Sequence, residues 1–347
     1  MNYINGNNFS NLSNFVFSEI VRKDYFYNVL DHKNLIVLQE TSNLNGEHVW
    51  YINPEIRLKE NDIIFSHTEV VEYLFKFLSN SQRIKNLKLI THQSDRPVDE
   101  KLWTKKPKSI SEWYSTNVIY NTKNLFSIPL GLGNDYLNTY KNHIETINNL
   151  LEIKTEKKNS AFLNFRINTN TVERLKTLFS LKNKSWIELK TLKQDPEQYL
   201  IDMNSCKYTI CPWGNGYDTH RIWESIYLKS IPVTRNHIAY RQFQDLPIIF
   251  IENWKKLDLD YLEEEASNLN YYNLEKLDLD YWENSINKVK IDSKNTYVKI
   301  LNQNEISKML SNIMLSIEKG KRMKRIRTFI GKFHYLKLRH YFTVKKF

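Results

Sequence analysis

The chain has 347 residues, enough for about two domains at roughly 150 residues each. Its 41% hydrophobic and 13% aromatic content excludes a disordered or collagen-like chain, and its two cysteines exclude a disulfide scaffold or a four-cysteine zinc ribbon. The formal charge of +11 sits wholly at the carboxyl end: residues 319–347 hold eleven Lys and Arg and no acid, leaving 39 basic and 39 acidic groups in the rest.

The residues before Asn14 are polar and lack the basic and apolar segments of a secretory leader, and no run approaches 18 apolar residues. The expectation is a protein kept in a reducing cytoplasm. In chain order, apolar runs predict strands over 35–38, 62–66, 87–90 and 125–130, with a helix over 69–78. The second half repeats the theme. Strands are predicted over 161–165, 186–189, 208–211, 231–234 and 247–251; helices over 172–181, 196–204 and 219–228, with a short one near Tyr240. Such alternation predicts parallel sheets covered by helices. The polar, charged stretch 152–160 is the best linker, which divides the chain into α/β units over 1–155 and 156–285; residues 286–347 are expected to be helical and to end in the basic tail.

In that tail Ile326, Phe329, Ile330 and Phe333 follow helical spacing among the cations. A basic amphipathic helix suits an anionic membrane surface, at about 1 kcal/mol per Lys or Arg. It equally suits a helix packed on the body with a solvated basic face. Nucleic acid stands behind both, because a phosphate binder usually carries charge on its folded body too. The hexapeptide KLDLDY occurs at 256–261 and again at 276–281. Its Asp258-x-Asp260 and Asp278-x-Asp280 pairs resemble a metal-diphosphate motif, but no apolar strand precedes either copy. Helix N-caps are the favoured reading, and no metal site is expected.

Residues 206–254 carry the chemistry. A strand ends in Pro212, the loop Gly214-Asn215-Gly216 follows, and a helix starts near Asp218 or Thr219. Strand, glycine loop and helix N-terminus together suit an anion, although ordinary turns use the same residues. The pattern is neither a P-loop nor a G-x-G-x-x-G fingerprint. Arg221 and Glu224 share one helix face. A cation in a first turn opposes the helix dipole, so Arg221 is easier to understand if an anion neutralises it, and its fork matches phosphate. Glu224 suits a ribose diol. The competing reading, a surface ion pair worth under about 1 kcal/mol, is equally good on residue physics alone.

The same segment resembles the C-terminal domain of exostosin-like glycosyltransferases. The P-x-G-x-G-x-D-x-x-R-x-W-E pattern stands at Pro212, Gly214, Gly216, Asp218, Arg221, Trp223 and Glu224. Ile231-Pro232-Val233, Asp245-Leu246-Pro247 and Trp254 follow in order. The stretch 162–174, FLNFRINTNTVER, resembles the entry into that domain; 65–75, 91–95 and 128–134 resemble the N-terminal half more weakly. Trp213 and Lys229-Ser230 depart from the family pattern. The resemblance implies a GT-B fold: two Rossmann-like, doubly wound α/β domains facing a cleft, the second holding the nucleotide-sugar. It implies inversion at the anomeric carbon without an essential metal or other cofactor. Arg221 would stabilise the departing diphosphate, with Arg166 as a second phosphate ligand. Gly214, Asn215 and Gly216 would present backbone to the phosphates, Glu224 would hold the ribose, and Asp218 and His220 would complete the donor site.

An inverting displacement also needs a base on the acceptor hydroxyl. Asp95 is the first choice and His92 the second, in the loop after the strand over 87–90; Glu47, His48 and His67 come next. Each is otherwise an ordinary cap or turn residue. The expectation is a cytoplasmic enzyme, peripheral to the membrane, that moves a sugar from a UDP-linked donor to a glycan or lipid-linked acceptor in surface polysaccharide synthesis. The alternatives are a nucleic-acid-associated protein that uses the tail, and a sugar-nucleotide binder without turnover.

Overall fold

The computed structural model describes residues 2–79, 84–190, 194–269, 271, 274–287, 296–315, 318, 319 and 322. The basic amphipathic helix expected within 319–347, and its membrane or nucleic-acid role, fall on residues that lie outside these except for Lys319 and Arg322.

The first half contains helices α1 (Gly6–Ser10), α2 (Lys23–Asn28), α3 (Val71–Leu78), α4 (Glu100–Trp103) and α5 (His143–Glu152). Its strands are β1 (Phe15–Arg22), β2 (Ile36–Asn43), β3 (Gly46–Ile52), β4 (Glu55–Lys59), β5 (Ile63–His67), β6 (Leu87–His92), β7 (Ile110–Ser115) and β8 (Leu125–Ser127). Seven of these strands form one sheet in the order β2-β3-β1-β5-β6-β7-β8. β5 and β6 are buried along their whole length, as central parallel strands covered on both faces must be. From β1 to β8 the neighbours run parallel, but β3 is antiparallel to both β1 and β2. This corrects the expectation that the first sheet is parallel throughout. Only two residues join β2 to β3, with Asn43 paired to Gly46, and so short a connection returns the chain antiparallel.

The second sheet is wholly parallel. Its strands are β9 (Lys158–Leu163), β10 (Ile187–Leu189), β11 (Cys206–Ile210), β12 (Ile231–Arg235) and β13 (Ile249–Ile251), ordered β10-β9-β11-β12-β13. Helices α6 (Thr171–Leu181), α7 (Pro196–Asn204) and α8 (His220–Tyr227) connect them. Counted within the sheet, the order is 2-1-3-4-5, so the winding reverses between β9 and β11. In open parallel sheets the crevice beyond that reversal, at the carboxyl ends of the strands, takes ligands. Lys157, just before β9, ties the layer together: Nζ donates to the carbonyls of Asn204 and Leu228, at the carboxyl ends of α7 and α8, over 2.6 and 2.9 Å. Lys229 follows α8 at φ 56°, the left-handed conformation glycine adopts without strain.

The expected linker is shorter than 152–160, because α5 runs to Glu152 and β9 starts at Lys158. A single apolar cluster joins the sheets, holding Ile63, Phe65 and Ile90 with Phe162, Trp223 and Ile226. Beyond β13, both KLDLDY copies start helices. Asp258 caps α9 (Leu259–Ser267) by accepting from the Tyr261 amide, and Asp278 caps α10 (Leu279–Ile286) by accepting from the Asp280 amide. The region after 285 is not simply helical. Strand β14 (Thr296–Ile300) pairs antiparallel with β4, and Leu301, Met309 and Ile313 pack with Phe17, Leu74 and Trp113 of the first half. Alternating TYVKI has a strand's period, not a helix's. Among the described residues no helix is long and apolar enough to cross a membrane.

Candidate functional site

A cleft of about 940 Å³ opens where the carboxyl ends of the two sheets face each other. His92, Gln93, Ser94 and Asp95 enter it from β6; Asn164, Phe165 and Arg166 from the end of β9; residues 214–216, Asp218 and Thr219 from the β11–α8 connection; and His220, Arg221 and Glu224 from α8. All ten candidate residues line this cleft: His92, Asp95, Arg166, Gly214, Asn215, Gly216, Asp218, His220, Arg221 and Glu224. His48 also lines it, whereas Glu47 and His67 do not.

Within the glycine loop several groups are committed to the protein itself. The Gly214 amide donates to the Gly216 carbonyl (3.0 Å), so it is spent inside the loop and does not face a phosphate. A Cβ on Gly216 would lie 2.7 Å from Asn117 Nδ2, and one on Gly214 would lie 3.0 Å from Arg174 Nη2. Gly216 is therefore favoured by the close approach of Asn117, whereas at Gly214 the end of the Arg174 side chain could give way. Asp218 belongs to the interface between the halves. It is 4% exposed; Oδ2 accepts from the Leu130 amide (2.8 Å), Oδ1 accepts from Trp223 Nε1 (2.9 Å), and its own amide donates to Asn117 Oδ1. Burial lifts this carboxyl to about 7. Asn215 Nδ2 donates to Asp95 Oδ2 across the cleft (3.2 Å), and His220 Nδ1 lies 2.7 Å from the Gly131 carbonyl.

The arginines behave differently from one another. Arg174, in α6, is 6% exposed and holds two loops: Nε donates to the Trp213 carbonyl (3.0 Å) and Nη1 to the Arg166 carbonyl (2.6 Å). Burial, with the Arg221 charge second, pulls Arg174 down to about 9. Arg221, in the first turn of α8, makes no hydrogen bond or ion pair to any described residue, and its Nε is buried without a partner. Its guanidinium lies 5.9 Å from the centre of the Tyr199 ring. Beside it, Thr219 occupies the α8 N-cap with no capping hydrogen bond, and its Oγ1 is also buried and unpartnered. The Arg166 side chain is exposed at the rim. Three guanidinium groups thus converge beside an uncapped helix N-terminus, an arrangement that favours an anion with several oxygens.

Glu224, 3% exposed, sits below them. Its Oε2 accepts from the Tyr199 hydroxyl (3.0 Å), and Oε1 lies 3.5 Å from His143 Nε2. Burial works against its charge, but the His143 hydrogen bond and the positive charge of His143, His220 and Arg221 outweigh it, so the carboxyl stays below its ordinary value. An ionised carboxylate accepts at about four sites, so capacity remains for a diol. Arg174, Tyr199, His143 and Thr219 are absent from the sequence-based set. Arg174 closes the quoted 162–174 stretch; the other three carry no signal of their own.

On the opposite side, His92 is corrected as a base. Its Nε2 donates to the Pro129 carbonyl (3.2 Å), Nδ1 accepts from the Gln93 amide (2.7 Å), and burial pushes it down to about 3. His67 is the last residue of β5, packed 4.5 Å from the Trp50 ring and likewise pushed by burial to about 3. Glu47 and His48 lie inside β3 rather than in a loop, and burial lowers His48. Among the described residues no group of three or more His, Cys, Asp or Glu is placed to hold a metal. No protein-family model matches the chain, and no curated protein matches it significantly.

Proposed function

We propose that the chain is a glycosyltransferase of the exostosin-like, GT-B kind, in which the two α/β units hold a nucleotide-sugar donor between them. The observation that carries this reading is Arg221. Its buried, unpartnered Nε beside Arg174 and the open α8 N-terminus supports a diphosphate at the reversal point between β9 and β11. The ordered matches from Pro212 to Trp254 support the same reading.

In this reading transfer is a direct displacement with inversion and no essential metal. The bond between the anomeric carbon and the diphosphate oxygen breaks, its electron pair leaves on oxygen, and Arg221 and Arg174 meet that charge where it develops. Glu224, held by Tyr199 and His143, accepts from the ribose hydroxyls. The donor is a UDP-sugar, and the acceptor a hydroxyl of a glycan or lipid-linked glycan in surface polysaccharide synthesis. Nucleotide release from UDP-, GDP-, CMP- and ADP-sugars, with and without EDTA, tests this on wild type, Arg221→Ala and Glu224→Ala. The expected result is release from one donor that survives EDTA and is lost in both variants. Failure of every nucleotide to bind overturns the reading, and EDTA-sensitive release overturns its metal-independent form.

A further inference from the structure

The wall opposite the arginines carries no Lys or Arg, and Asp95 is its one acid among the described lining residues. Much of that wall is the antiparallel ribbon β2–β3 and the segment after β8: Gln39, Thr41, Asn43, Asn45, His48 and Tyr136. We propose that the β2–β3 ribbon is the subsite for a neutral, polyhydroxylated acceptor, and that His48 takes the proton from its attacking hydroxyl. This rests on the glycosyltransferase reading and specifies the acceptor's class and the base within it.

Strand period places Gln39, Thr41 and Asn43 on one face of β2. The register of β2 on β3 shifts at a bulge between Val37 and Gln39, and Thr41 pairs directly with His48 of β3. Side-chain amides and hydroxyls both donate and accept, as sugar hydroxyls do. An acidic ligand would lie there without a cation, whereas a neutral polyol leaves no charge uncompensated. His48 is the imidazole of this wall whose nitrogens are uncommitted. His92 uses both of its own, and Asp95 sits exposed at the rim beside Asn215. Nδ1 of His48 is buried without a partner among the described residues, next to the Tyr136 ring at 5.4 Å. Nε2 is then the nitrogen left to meet a ligand. In the Nδ1–H tautomer the step balances. The acceptor oxygen bonds to the anomeric carbon, the bond to the diphosphate oxygen breaks with its electron pair, and the hydroxyl proton passes to Nε2 and later to water.

The test uses the full chain with saturating donor nucleotide, screened against arrays of neutral and of uronic-acid oligosaccharides. The expected ligands are neutral. On the best of them, Gln39→Ala with Thr41→Ala raises KM roughly ten-fold or more. His48→Gln lowers kcat by roughly 10²–10⁴-fold with KM and nucleotide affinity unchanged. His48→Asn, with melting curves, is the second variant should His48→Gln unfold. A preference for acidic glycans, no neutral glycan bound, or folded His48 variants that keep a tenth of kcat each overturn the proposal. Nucleotide affinity measured on the same samples separates the two failures. A wild type that binds no nucleotide sinks the glycosyltransferase reading itself, whereas nucleotide binding without neutral glycans sinks only the acceptor subsite.

Discussion

The all-parallel sheet brings Arg166, Arg174 and Arg221 to the cleft from the connections after β9 and β11, whereas the mixed sheet brings Gln39, Thr41 and His48 from inside paired strands. The first wall is cationic and built at a reversal of winding, where open backbone amides and long side chains meet. The second is nearly uncharged, and its composition is set by strand register, because one step along β2 would turn the other face to the cleft. The two walls of the cleft thus differ in charge: one half of the molecule supplies the guanidinium groups and the other mostly neutral polar side chains.

The largest expected effect separates two residues of the cationic wall. Arg221→Ala removes a guanidinium that makes no hydrogen bond or ion pair to a described residue, so nucleoside diphosphate affinity should fall roughly 100-fold or more with little change in melting temperature. Arg174→Ala removes the bonds to the Trp213 and Arg166 carbonyls, so affinity and melting temperature should fall together. Calorimetric titration with UDP, paired with thermal melts, checks both. Equal stability losses in the two variants would show that Arg221 is structural too.

Next comes the contact between the halves. Gly216→Ala forces a Cβ against Asn117, which is 2% exposed and accepts from the Asp218 amide. The expected loss is about 1–3 kcal/mol by urea unfolding. Gly214→Ala pushes on Arg174 Nη2 instead, a flexible end, so it should cost less stability and more nucleotide affinity. A reversed order would place the tighter packing on the Arg174 side.

The parallel half was far more legible than the mixed half, for physical reasons. Its strands are short apolar runs bounded by polar residues, and α7 begins where Pro196 follows a capping Asp195. β1, β3 and β7 went unread although Phe17, Val49, Trp50, Ile52, Ile110 and Trp113 are buried in them; in β1 buried polar residues interrupt the apolar ones and find partners only across the sheet. Ser18 of β1 donates to the Tyr51 carbonyl and accepts from Trp50 Nε1, and Glu19 accepts from Tyr51 and Asn7. Viewed one strand at a time, such pairs look like breaks in the hydrophobic pattern. The same limit hid Tyr199 and His143, which reach Glu224 from helices far away in the chain. Arg221 and Glu224 were legible because strand, loop and helix that position them are consecutive.

A smaller effect probes that hidden support. Tyr199→Phe removes the one hydroxyl bonded to Glu224 and leaves the carboxylate buried with His143 alone as a close partner. A loss of about 1–3 kcal/mol in stability is expected. If Glu224 holds a ribose, nucleotide affinity should fall several-fold as well, and deoxyribose nucleotides should be insensitive to the change. Equal losses for both kinds of nucleotide would remove the ribose assignment.

The smallest expected effect is a change in pH dependence, and it comes from opposed buried groups. Burial lifts Glu19 and Asp218 to about 7, so below that pH the native state holds protons that the unfolded chain binds only near pH 4. Each therefore adds stability as pH falls from 7 toward 4. Burial lowers His67 and His92 to about 3, so the unfolded chain binds protons below about 6.5 that the native state refuses. Each therefore removes stability as pH falls from 6.5 toward 3. Every group contributes a slope of about 1 kcal/mol per pH unit, two in each direction, and between roughly pH 6.5 and 4.5 they cancel. Three of the four lie in the mixed half and only Asp218 in the parallel half, so Asp218→Asn should unbalance the set. Whatever that substitution costs at pH 7, urea unfolding from pH 6.5 to 4.5 should then show stability falling, relative to wild type, by about 1 kcal/mol per pH unit. A profile parallel to that of wild type would mean that the Asp218 carboxyl is ionised in the native state, leaving the Leu130 contact as a charge-assisted bond between the halves and the Trp223 contact as one within the parallel half.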